Sequence, residues 1–379
     1  MIPYGRQWVD EDDVSAVADV LRSDWLTTGP KVAEFEESFA QVVGARHAVA
    51  VNSGTAALHA TLHALGVRPG DEVIVPAMTF AATANCVIFQ GATPVFADVD
   101  PDRLLLRPDE IEIRCTPRTR AVIAVDYAGH PANYEAICEI CLKHGLSLVA
   151  DACHALGALY KGQPVGTLAD LSAFSFHPVK HITTGEGGMV TTNDPNLARR
   201  MRIFRNHGIT SDHRERERRG SWYYEMVELG WNYRITDIQC ALGLSQLKKL
   251  PRFLERRREI AVRYDRFFQS LNGIRPLVLA SDVTHAYHLY VVRVDPKLIG
   301  KDRDRLYREL RAEGIGVNVH YLPVHLHPYY RGRLNTGEGM CPVAEEAARH
   351  ILSLPIHPGM NDAQVDAVCN AIRKLTSQD

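Results

Sequence analysis

An aspartate follows a short apolar run that is typical of a buried strand. The run at 146–150 (LSLVA) ends directly before Asp151. In an open sheet of parallel strands, ligands bind beyond the carboxyl ends of the strands, so this carboxylate is expected at a ligand site. A lone aspartate in this position could also cap the helix that follows, and the residues that share its edge of the sheet decide between the two readings.

A lysine lies beyond the next predicted strand, in the segment SFHPVKHITTGEGG. Most lysines are solvated surface charges, but Lys180 follows an apolar strand and precedes Gly185, Gly187 and Gly188. Glycines let the backbone approach a bound group closely. A desolvated lysine loses its proton more readily, which makes Lys180 a candidate nucleophile toward a carbonyl group.

The segment NSGTAALHATLHALG predicts a strand that ends at Asn52 and a helix opened by Ser53, Gly54 and Thr55. The first amides of a helix have no partner inside it, and the helix dipole favours an anion there. Such a helix start can hold a phosphate group. Taken alone, the same three residues are equally consistent with an ordinary capped helix.

Together these segments supply a phosphate cradle, a carboxylate and a desolvated lysine, and no GxxxxGK[ST] or GxGxxG pattern competes for the phosphate. This set suits pyridoxal phosphate better than any other common cofactor. Lys180 would bind the cofactor covalently, yield it to an incoming amine and then move a proton between carbon atoms. Asp151 would keep the pyridine nitrogen protonated, so that the ring can accept electrons.

The elements that must position these residues are visible in the hydrophobic pattern. From Val49 to Asp194, short apolar and β-branched runs alternate with helical segments. This alternation predicts βα units and an α/β fold with a mostly parallel sheet. The charge run at 213–219 (HRERERR) that follows predicts a solvated, mobile loop without chemistry.

The second part of the chain has a different pattern. Helical periodicity from Asp237 to Leu271 is interrupted by Pro251, which predicts a pair of helices leading to a second domain. Beyond them the pattern predicts a smaller α+β domain. Its predicted elements are strands at 285–294 and 316–321, a helix at 304–314 and a final helix from Asp362.

Composition excludes several classes of partner. The 379 residues carry 43 basic and 45 acidic side chains, so the net charge of −2 draws the protein neither to nucleic acid nor to an acidic membrane surface. The sequence contains no apolar run that could span a bilayer and no signal peptide at its start, so a cytoplasmic protein is expected. Eight scattered cysteines favour free thiols. Cys138 and Cys141 form a CxxC pair on a predicted amphipathic helix, where packing is favoured over redox or metal chemistry.

Several long motifs occur in a fixed order along the chain: LTTGPKVAEFE, VNSGTAALHATLHALGV, GDEVIVPAMTFAATAN, GATPVFADVD, DACHALGA, SFHPVKHITTGEGG, RNHGI, LGWNYRITDIQCALGLSQL and VHYLPVH. In this order they resemble the DegT/DnrJ/StrS family of sugar aminotransferases over nearly the whole chain. The resemblance implies the fold-type-I architecture of PLP-dependent aminotransferases and a homodimer with shared active sites. It implies a large PLP-binding domain at 1–245 and a small α+β domain at 246–379.

The resemblance also assigns roles to individual positions. It implies that Lys180 anchors the cofactor, Asp151 pairs with the pyridine nitrogen and His154 contacts the ring or its hydroxyl. Further cofactor contacts are implied for Ser53, Gly54, Thr55, Phe80, Ser175 and, in the other subunit, Asn232. Substrate contacts are implied for Tyr4, Asp24, Trp25, Leu26, Thr27, His320 and Tyr321.

His320, His325 and His327 could suggest a metal site, but their spacing matches no standard ligand set, so we expect no metal and interpret them as polar residues of the substrate pocket. Two features depart from the family pattern. Asp126 stands where many relatives have histidine, and the charge run that begins at His213 has no matching counterpart.

The motifs are most similar to those of family members that work in pseudaminic acid biosynthesis. They imply transfer of an amino group from glutamate to the C4 ketone of a UDP-linked 4-keto-6-deoxy sugar, UDP-2-acetamido-2,6-dideoxy-beta-L-arabino-hex-4-ulose. The first alternative is an aminotransferase for a different nucleotide keto sugar. The second is a sugar dehydratase, whose relatives carry histidine at the anchor position, and the third is a non-catalytic protein that binds PLP or a nucleotide sugar.

Overall fold

A computed structural model of the chain describes residues 1–211 and 213–376. Its strands are β1 (His47–Val51), β2 (Glu72–Pro76), β3 (Thr93–Ala97), β4 (Thr119–Val125), β5 (Ser147–Asp151), β6 (Leu159–Tyr160), β7 (Gln163–Pro164), β8 (Leu171–Ser175), β9 (Gly188–Thr192), β10 (Ile274–Pro276), β11 (Val283–Thr284), β12 (Tyr290–Val294) and β13 (Ile351–Leu354).

Helices α1 to α7 lie before the charge run at 213–219. The charge run itself is α8, and α9 to α14 follow it. The first group is α1 (Glu11–Leu21), α2 (Pro30–Val43), α3 (Gly54–Leu65), α4 (Ala81–Phe89), α5 (Pro108–Arg114), α6 (Tyr134–His144) and α7 (Pro195–Phe204). The second is α8 (His213–Arg219), α9 (Asp237–Phe268), α10 (Pro296–Ile299), α11 (Arg303–Ala312), α12 (Pro328–Leu334), α13 (Pro342–His350) and α14 (Asp362–Thr376). Short 3-10 turns occur at Tyr127–Gly129 and Val324–Leu326.

A seven-stranded sheet organises the first part of the chain, in the order β1-β9-β8-β5-β4-β2-β3. The pairs among β8, β5, β4, β2 and β3 are parallel, and β9 runs antiparallel to both of its neighbours. The predicted mostly parallel α/β sheet is therefore confirmed. Because the parallel strands point the same way, β4, β5 and β8 bring their carboxyl ends to one edge.

Helices cover both faces of this sheet because its strands are apolar on both sides. On β1, Val49 and Val51 join the core beneath α3, α4 and α7, whereas Ala48 and Ala50 join the core beneath α2, α6 and the start of α9. This assignment follows the two-residue period of a strand. Two buried faces explain why the strands read as continuous apolar runs.

A third core lies in the second part of the chain. The antiparallel sheet β10-β12-β13 packs with α11, α14 and the second half of α9 around residues such as Tyr264, Val292, Leu306, Leu352 and Val368. The final helix from Asp362 and the helix near 304–314 are confirmed. The domain boundary between residues 245 and 246 remains a prediction, and α9 runs continuously across it.

The predicted pair of helices is wrong, because α9 is one helix of 32 residues with Pro251 inside it. The proline lacks the donor for one helical hydrogen bond, but tertiary contacts offset this loss. Lys249 forms ion pairs with Asp10 and Asp13 near the proline, and Gln246 donates to the carbonyl of Trp8. Packing against the amino-terminal segment thus keeps α9 continuous.

Three other predicted elements differ from the structure. Residues 316–321 form no strand, and only Asn318 pairs with Ser353 in a single bridge. Residues 318–321 line a cavity instead of continuing along the sheet. The strand predicted at 285–294 begins only at Tyr290. The charge run at 213–219 is helix α8 and not a loop, which agrees with the good helix propensity of arginine and glutamate. Among the described residues, no helix is both long and apolar enough to cross a membrane.

Candidate active site

A cavity of about 540 Å³ opens at the carboxyl edge of the large sheet. Eleven of the residues predicted at the site line it: Tyr4, Ser53, Gly54, Thr55, Phe80, Asp151, His154, Ser175, Lys180, His320 and Tyr321. They come from the amino-terminal segment, from the ends of β5 and β8 and the loops after them, from the starts of α3 and α4, and from the loop after residue 317. The fold therefore gathers most of the predicted set into one place.

The start of α3 forms one wall of this cavity. The Ser53 hydroxyl accepts a hydrogen bond from the amide of Ala56 at 3.1 Å, so Ser53 is the N-cap. The amides of Gly54 and Thr55 point out of the helix end, where a phosphate oxygen could accept from them. A Cβ atom at Gly54 would lie 2.8 Å from Cβ of Ser175, which shows that glycine is required for the close approach of α3 to β8.

Asp151 is the last residue of β5 and is buried at the floor of the cavity. Its Oδ2 accepts a hydrogen bond of 2.7 Å from Oγ1 of Thr83. The Thr83 oxygen lies in turn 2.7 Å from Oγ1 of Thr79. Its Oδ1 accepts from the amide of Cys153 at 3.3 Å. Hydrogen bonds on both oxygens fix the carboxylate in one orientation.

Lys180 lies in the loop between β8 and β9, with its half-buried side chain in the cavity. Burial lowers the pKa of its amine below the ordinary value, and the nearby Cys153 and Asp151 oppose this change. A lower pKa leaves more of the amine unprotonated at neutral pH, which favours attack on a carbonyl group.

His154 and Tyr321 form another part of the cavity wall. The Tyr321 hydroxyl lies 3.1 Å from Nε2 of His154, and both side chains bury most of their surface in the cavity wall. His320 is held by a contact of 2.8 Å between its Nδ1 and Oγ of Ser353, and its ring packs against Tyr4. Phe80 lies at the mouth, 59% exposed, with its ring 5.9 Å from that of Tyr321.

Some predicted residues do not line the cavity. Asp24, Trp25, Leu26 and Thr27 lie outside it, next to the start of α9, where Thr27 bridges Thr236 and the carbonyl of Leu26 accepts from Asp237. Asn232 is exposed and also lies outside the cavity of its own chain.

The interpretation of all three neighbouring histidines as pocket residues is wrong for two of them. His325 is fully buried away from the cavity and lies 3.0 Å from Oε1 of Glu345, and His327 precedes α12 outside the cavity. Both follow the turn at Val324–Leu326, which carries the chain away from His320. No group of three or more His, Cys, Asp or Glu side chains that could hold a metal occurs in the described part of the chain.

Sequence reasoning missed several residues of the site. His288, Cys153, His177, Glu186 and Asn318 also line the cavity. His288 lies 108 positions after Lys180, yet its Nε2 is 3.5 Å from Nζ of the lysine. The predicted strand 285–294 contains two histidines, His285 and His288, and nothing in its local pattern indicates that the second contacts Lys180.

Comparison with known proteins identifies the family. The family model described as the DegT/DnrJ/EryC1/StrS aminotransferase family matches residues 7–373. The chain belongs to this family. The spore coat polysaccharide biosynthesis protein SpsC of Bacillus subtilis is 44% identical over 376 residues, which cover 99% of this chain and 97% of SpsC.

Solved structures of family members agree closely with this fold. Spr1654 of Streptococcus pneumoniae, whose proposed activity is that of a sugar aminotransferase, is 35% identical and superposes in its PMP form with a TM-score of 0.94 over 99% of both chains. Its PLP form gives 0.92 over 99% of this chain and 98% of Spr1654. Helicobacter pylori PseC, an aminotransferase of pseudaminic acid biosynthesis, is 36% identical, with a TM-score of 0.92 over 99% of both chains. The fold-type-I aminotransferase architecture is thereby confirmed.

Family membership makes the chain an aminotransferase, and the cofactor of this family is pyridoxal phosphate. The chemical groups that line the cavity match those of pyridoxal phosphate. A helix start matches the phosphate, and an oriented carboxylate matches a protonated ring nitrogen. An amine with a lowered pKa matches the aldehyde.

Asp126 lies behind Asp151 and does not line the cavity. It is fully buried, accepts from the Tyr134 hydroxyl at 2.9 and 2.8 Å, and accepts from the amide of Ala132 at 2.8 Å. Burial raises the pKa of Asp126 to about 7. The hydrogen bonds from Ala132 and Tyr134 oppose this rise, and the charge of Asp151 adds to it. At neutral pH and below, Asp126 therefore tends to keep its proton.

Asp126→Asn should change how stability depends on pH. Between pH 4 and 7 the unfolded chain ionises Asp126 while the folded chain keeps the proton, so the free energy of unfolding should fall as pH rises, by up to about 1.4 kcal/mol per pH unit. The asparagine variant should lack this slope. Urea unfolding of the apoprotein at several pH values measures it. Asp170→Asn, at an exposed carboxylate that accepts from Leu148, is the control and should keep the slope. An unchanged slope in Asp126→Asn would contradict the assignment.

Proposed function

We propose that the enzyme transfers the amino group of glutamate to the C4 ketone of a UDP-linked 4-keto-6-deoxy sugar. The proposed acceptor is UDP-2-acetamido-2,6-dideoxy-beta-L-arabino-hex-4-ulose, the keto sugar of pseudaminic acid biosynthesis. One observation carries the proposal: the amine of Lys180, the carboxylate of Asp151 and the start of α3 face one cavity, in a chain similar to PseC over 99% of both lengths. The similarity to SpsC favours a second candidate, an aminotransferase for another nucleotide keto sugar.

The residues of the cavity divide the work of such a reaction. When bound, pyridoxal phosphate supplies an aldehyde for the amino group and a ring that accepts electrons. In the proposal, the first amides of α3 and the Ser175 hydroxyl hold its phosphate, and Asp151 holds the proton of the ring nitrogen. Lys180 would hold the cofactor through Nζ and would then carry a proton between carbon atoms on the same nitrogen. His154 covers the ring, with Tyr321 bonded behind it.

The second half of the reaction repeats these tasks in reverse for the keto sugar, so one cavity would serve both substrates in turn. We propose that Tyr4, His320 and Tyr321 contact the sugar, because all three line the cavity and none belongs to the helix start that would hold the phosphate. Phe80 at the mouth would stack on a ring, since over half of its surface is exposed there.

We also propose a homodimer in which Asn232 of each subunit completes the cavity of the other. Asn232 is exposed, and its carbonyl accepts from Nδ2 of Asn52 at 3.2 Å, next to the start of α3. The segment before it leaves Trp222, Met226 and Leu229 largely exposed. Several large apolar side chains exposed along one short segment are typical of an interface.

Mixing two inactive variants tests the shared site. Lys180→Ala and Asn232→Ala should each lose activity, but their mixed dimers should regain up to about a quarter of the wild-type activity, because one site in each mixed dimer keeps both residues. Subunit exchange followed by a glutamate assay measures the recovery. A mixture of Lys180→Ala with Asp151→Asn is the control, since no site in it is intact. Full activity of Asn232→Ala alone, or no recovery from confirmed mixed dimers, would contradict the shared site.

Product analysis tests the substrate. Given ¹⁵N-glutamate and a panel of UDP- and dTDP-linked keto sugars, the enzyme should place the label on C4 of the 2-acetamido UDP sugar, and NMR of the product should show it there. Lys180→Ala on the same panel controls for uncatalysed amination. Preferential labelling of a different nucleotide sugar would support the second candidate and overturn the first.

A further inference from the structure

A buried histidine contributed by the second part of the chain lies beside the amine of Lys180. His288 is 5% exposed, and its Nε2 is 3.5 Å from Nζ of Lys180, at the long end of hydrogen-bonding distance. Its ring centroid is 4.3 Å from that of His154 and 5.7 Å from that of His181. His288 is therefore packed into the wall that faces the lysine.

The backbone fixes the place of this ring. Arg257 is fully buried, and its Nη1 donates to the carbonyls of Tyr287 at 3.0 Å and of His288 at 3.4 Å. Gly129, at φ +101°, lets the chain pass so closely that a Cβ atom there would lie 2.9 Å from the amide nitrogen of Tyr287. In contrast, Nδ1 of His288 has no hydrogen-bond partner among the described residues. The backbone contacts fix the position of the ring, and Nε2 is the ring nitrogen that lies within reach of Lys180.

The surroundings keep this imidazole neutral. Burial lowers the pKa of His288 well below its ordinary value, and the charges that add to this effect are those of Lys180, His154, His181 and Arg257. An ammonium group has three donors and no acceptor. A protonated Lys180 can therefore bond to His288 only if Nε2 is the unprotonated nitrogen and accepts.

We propose that His288 is a positioning residue that holds the ammonium form of Lys180 by accepting a hydrogen bond at Nε2. The inference rests on the proposed function, in which Lys180 carries the proton. When the C–H bond of the amino donor breaks, its proton would pass to Nζ of Lys180, while a bound cofactor would supply the ring that accepts the electron pair. His288 accepts a hydrogen bond from that ammonium group but takes no proton. Lys180 then returns the proton to a different carbon, and the bond to His288 keeps Nζ between the two positions.

Reactivity of Lys180 in the apoprotein tests the contact without the cofactor. The pH dependence of trinitrobenzenesulfonate labelling, read by mass spectrometry of the peptide with Lys180, gives the pKa of its amine. His288→Phe removes the acceptor and should lower the midpoint by about one pH unit, because hydrogen bonds to charged groups are among the stronger ones. His288→Gln can place an oxygen near the position of Nε2 and should restore most of the shift. If the phenylalanine variant does not fold, His288→Asn, whose oxygen falls short of Nε2, should show the same fall.

His357→Phe is the matched control, since His357 is also buried, its ring nitrogens have no hydrogen-bond partner among the described residues, and it lies outside the cavity. It should leave the midpoint unchanged. With the cofactor bound, His288→Phe should lower kcat of the glutamate half-reaction about tenfold with little change in KM, and glutamate deuterated at Cα should show a larger isotope effect.

Two results would overturn the inference. One is an unchanged midpoint for Lys180 in His288→Phe or His288→Asn. The other is a fall in His288→Gln or His357→Phe as large as that in His288→Phe, which would indicate a structural effect only. Borohydride labelling of the wild-type enzyme separates this failure from that of the proposed function. Cofactor fixed on Lys180 together with no effect of His288 would reject only the role of His288, whereas cofactor fixed elsewhere would reject the role of Lys180 itself.

Discussion

The desolvation of one amine beside one carboxylate is the constraint on which the site depends. Burial favours the neutral form of Lys180, while Asp151 must stay in a polar setting to carry a charge. The structure meets both needs by giving Asp151 hydrogen bonds from Thr83 and from the amide of Cys153. Lys180 instead faces neutral imidazoles. Because Asp126 tends to keep its proton, a second negative charge does not build up behind Asp151.

The sheet makes this arrangement possible. Parallel strands end at one edge, so residues that are 24 to 122 positions apart in sequence, such as Ser53, Asp151 and Ser175, meet there. The second part of the chain then closes the cavity with His288, His320 and Tyr321. The site thus belongs to the junction of the large sheet with the later segments, and α9 connects these parts as one helix.

The sequence predicts correctly those features that depend on neighbouring residues, and it fails where contacts between distant residues decide the structure. Ser53 and Gly54 open a helix after a strand, and Asp151 ends a strand, so their placement at the sheet edge follows from a few neighbouring residues. Pro251 led to a wrong prediction of two helices. The helical hydrogen bond that it removes is offset by ion pairs of the nearby Lys249 with Asp10 and Asp13, which no local pattern reveals. The contact of Lys180 with His288 was missed for the same reason. The turn that separates His325 from His320 is likewise set by tertiary packing.

In the proposed homodimer, the identity of the sugar would depend on the part of the site that one subunit does not complete. Phe80 stays exposed at the mouth, and Asn232 and Leu26 are exposed outside the cavity, so a partner would supply the remaining surface. Related chains with nearly the same fold are tied to different products, spore coat polysaccharide for SpsC and pseudaminic acid for PseC. Fold and cofactor chemistry are thus shared, and the contacts around the sugar must differ.

The central claim is that one amine, that of Lys180, holds the cofactor. Peptide mapping after borohydride reduction of the PLP-loaded enzyme tests it most directly. The account predicts that the phosphopyridoxyl group is found on Lys180 and on no other lysine, and that Lys180→Ala carries none. An unmodified Lys180 peptide after complete reduction, with the label on another lysine or on none, would contradict it.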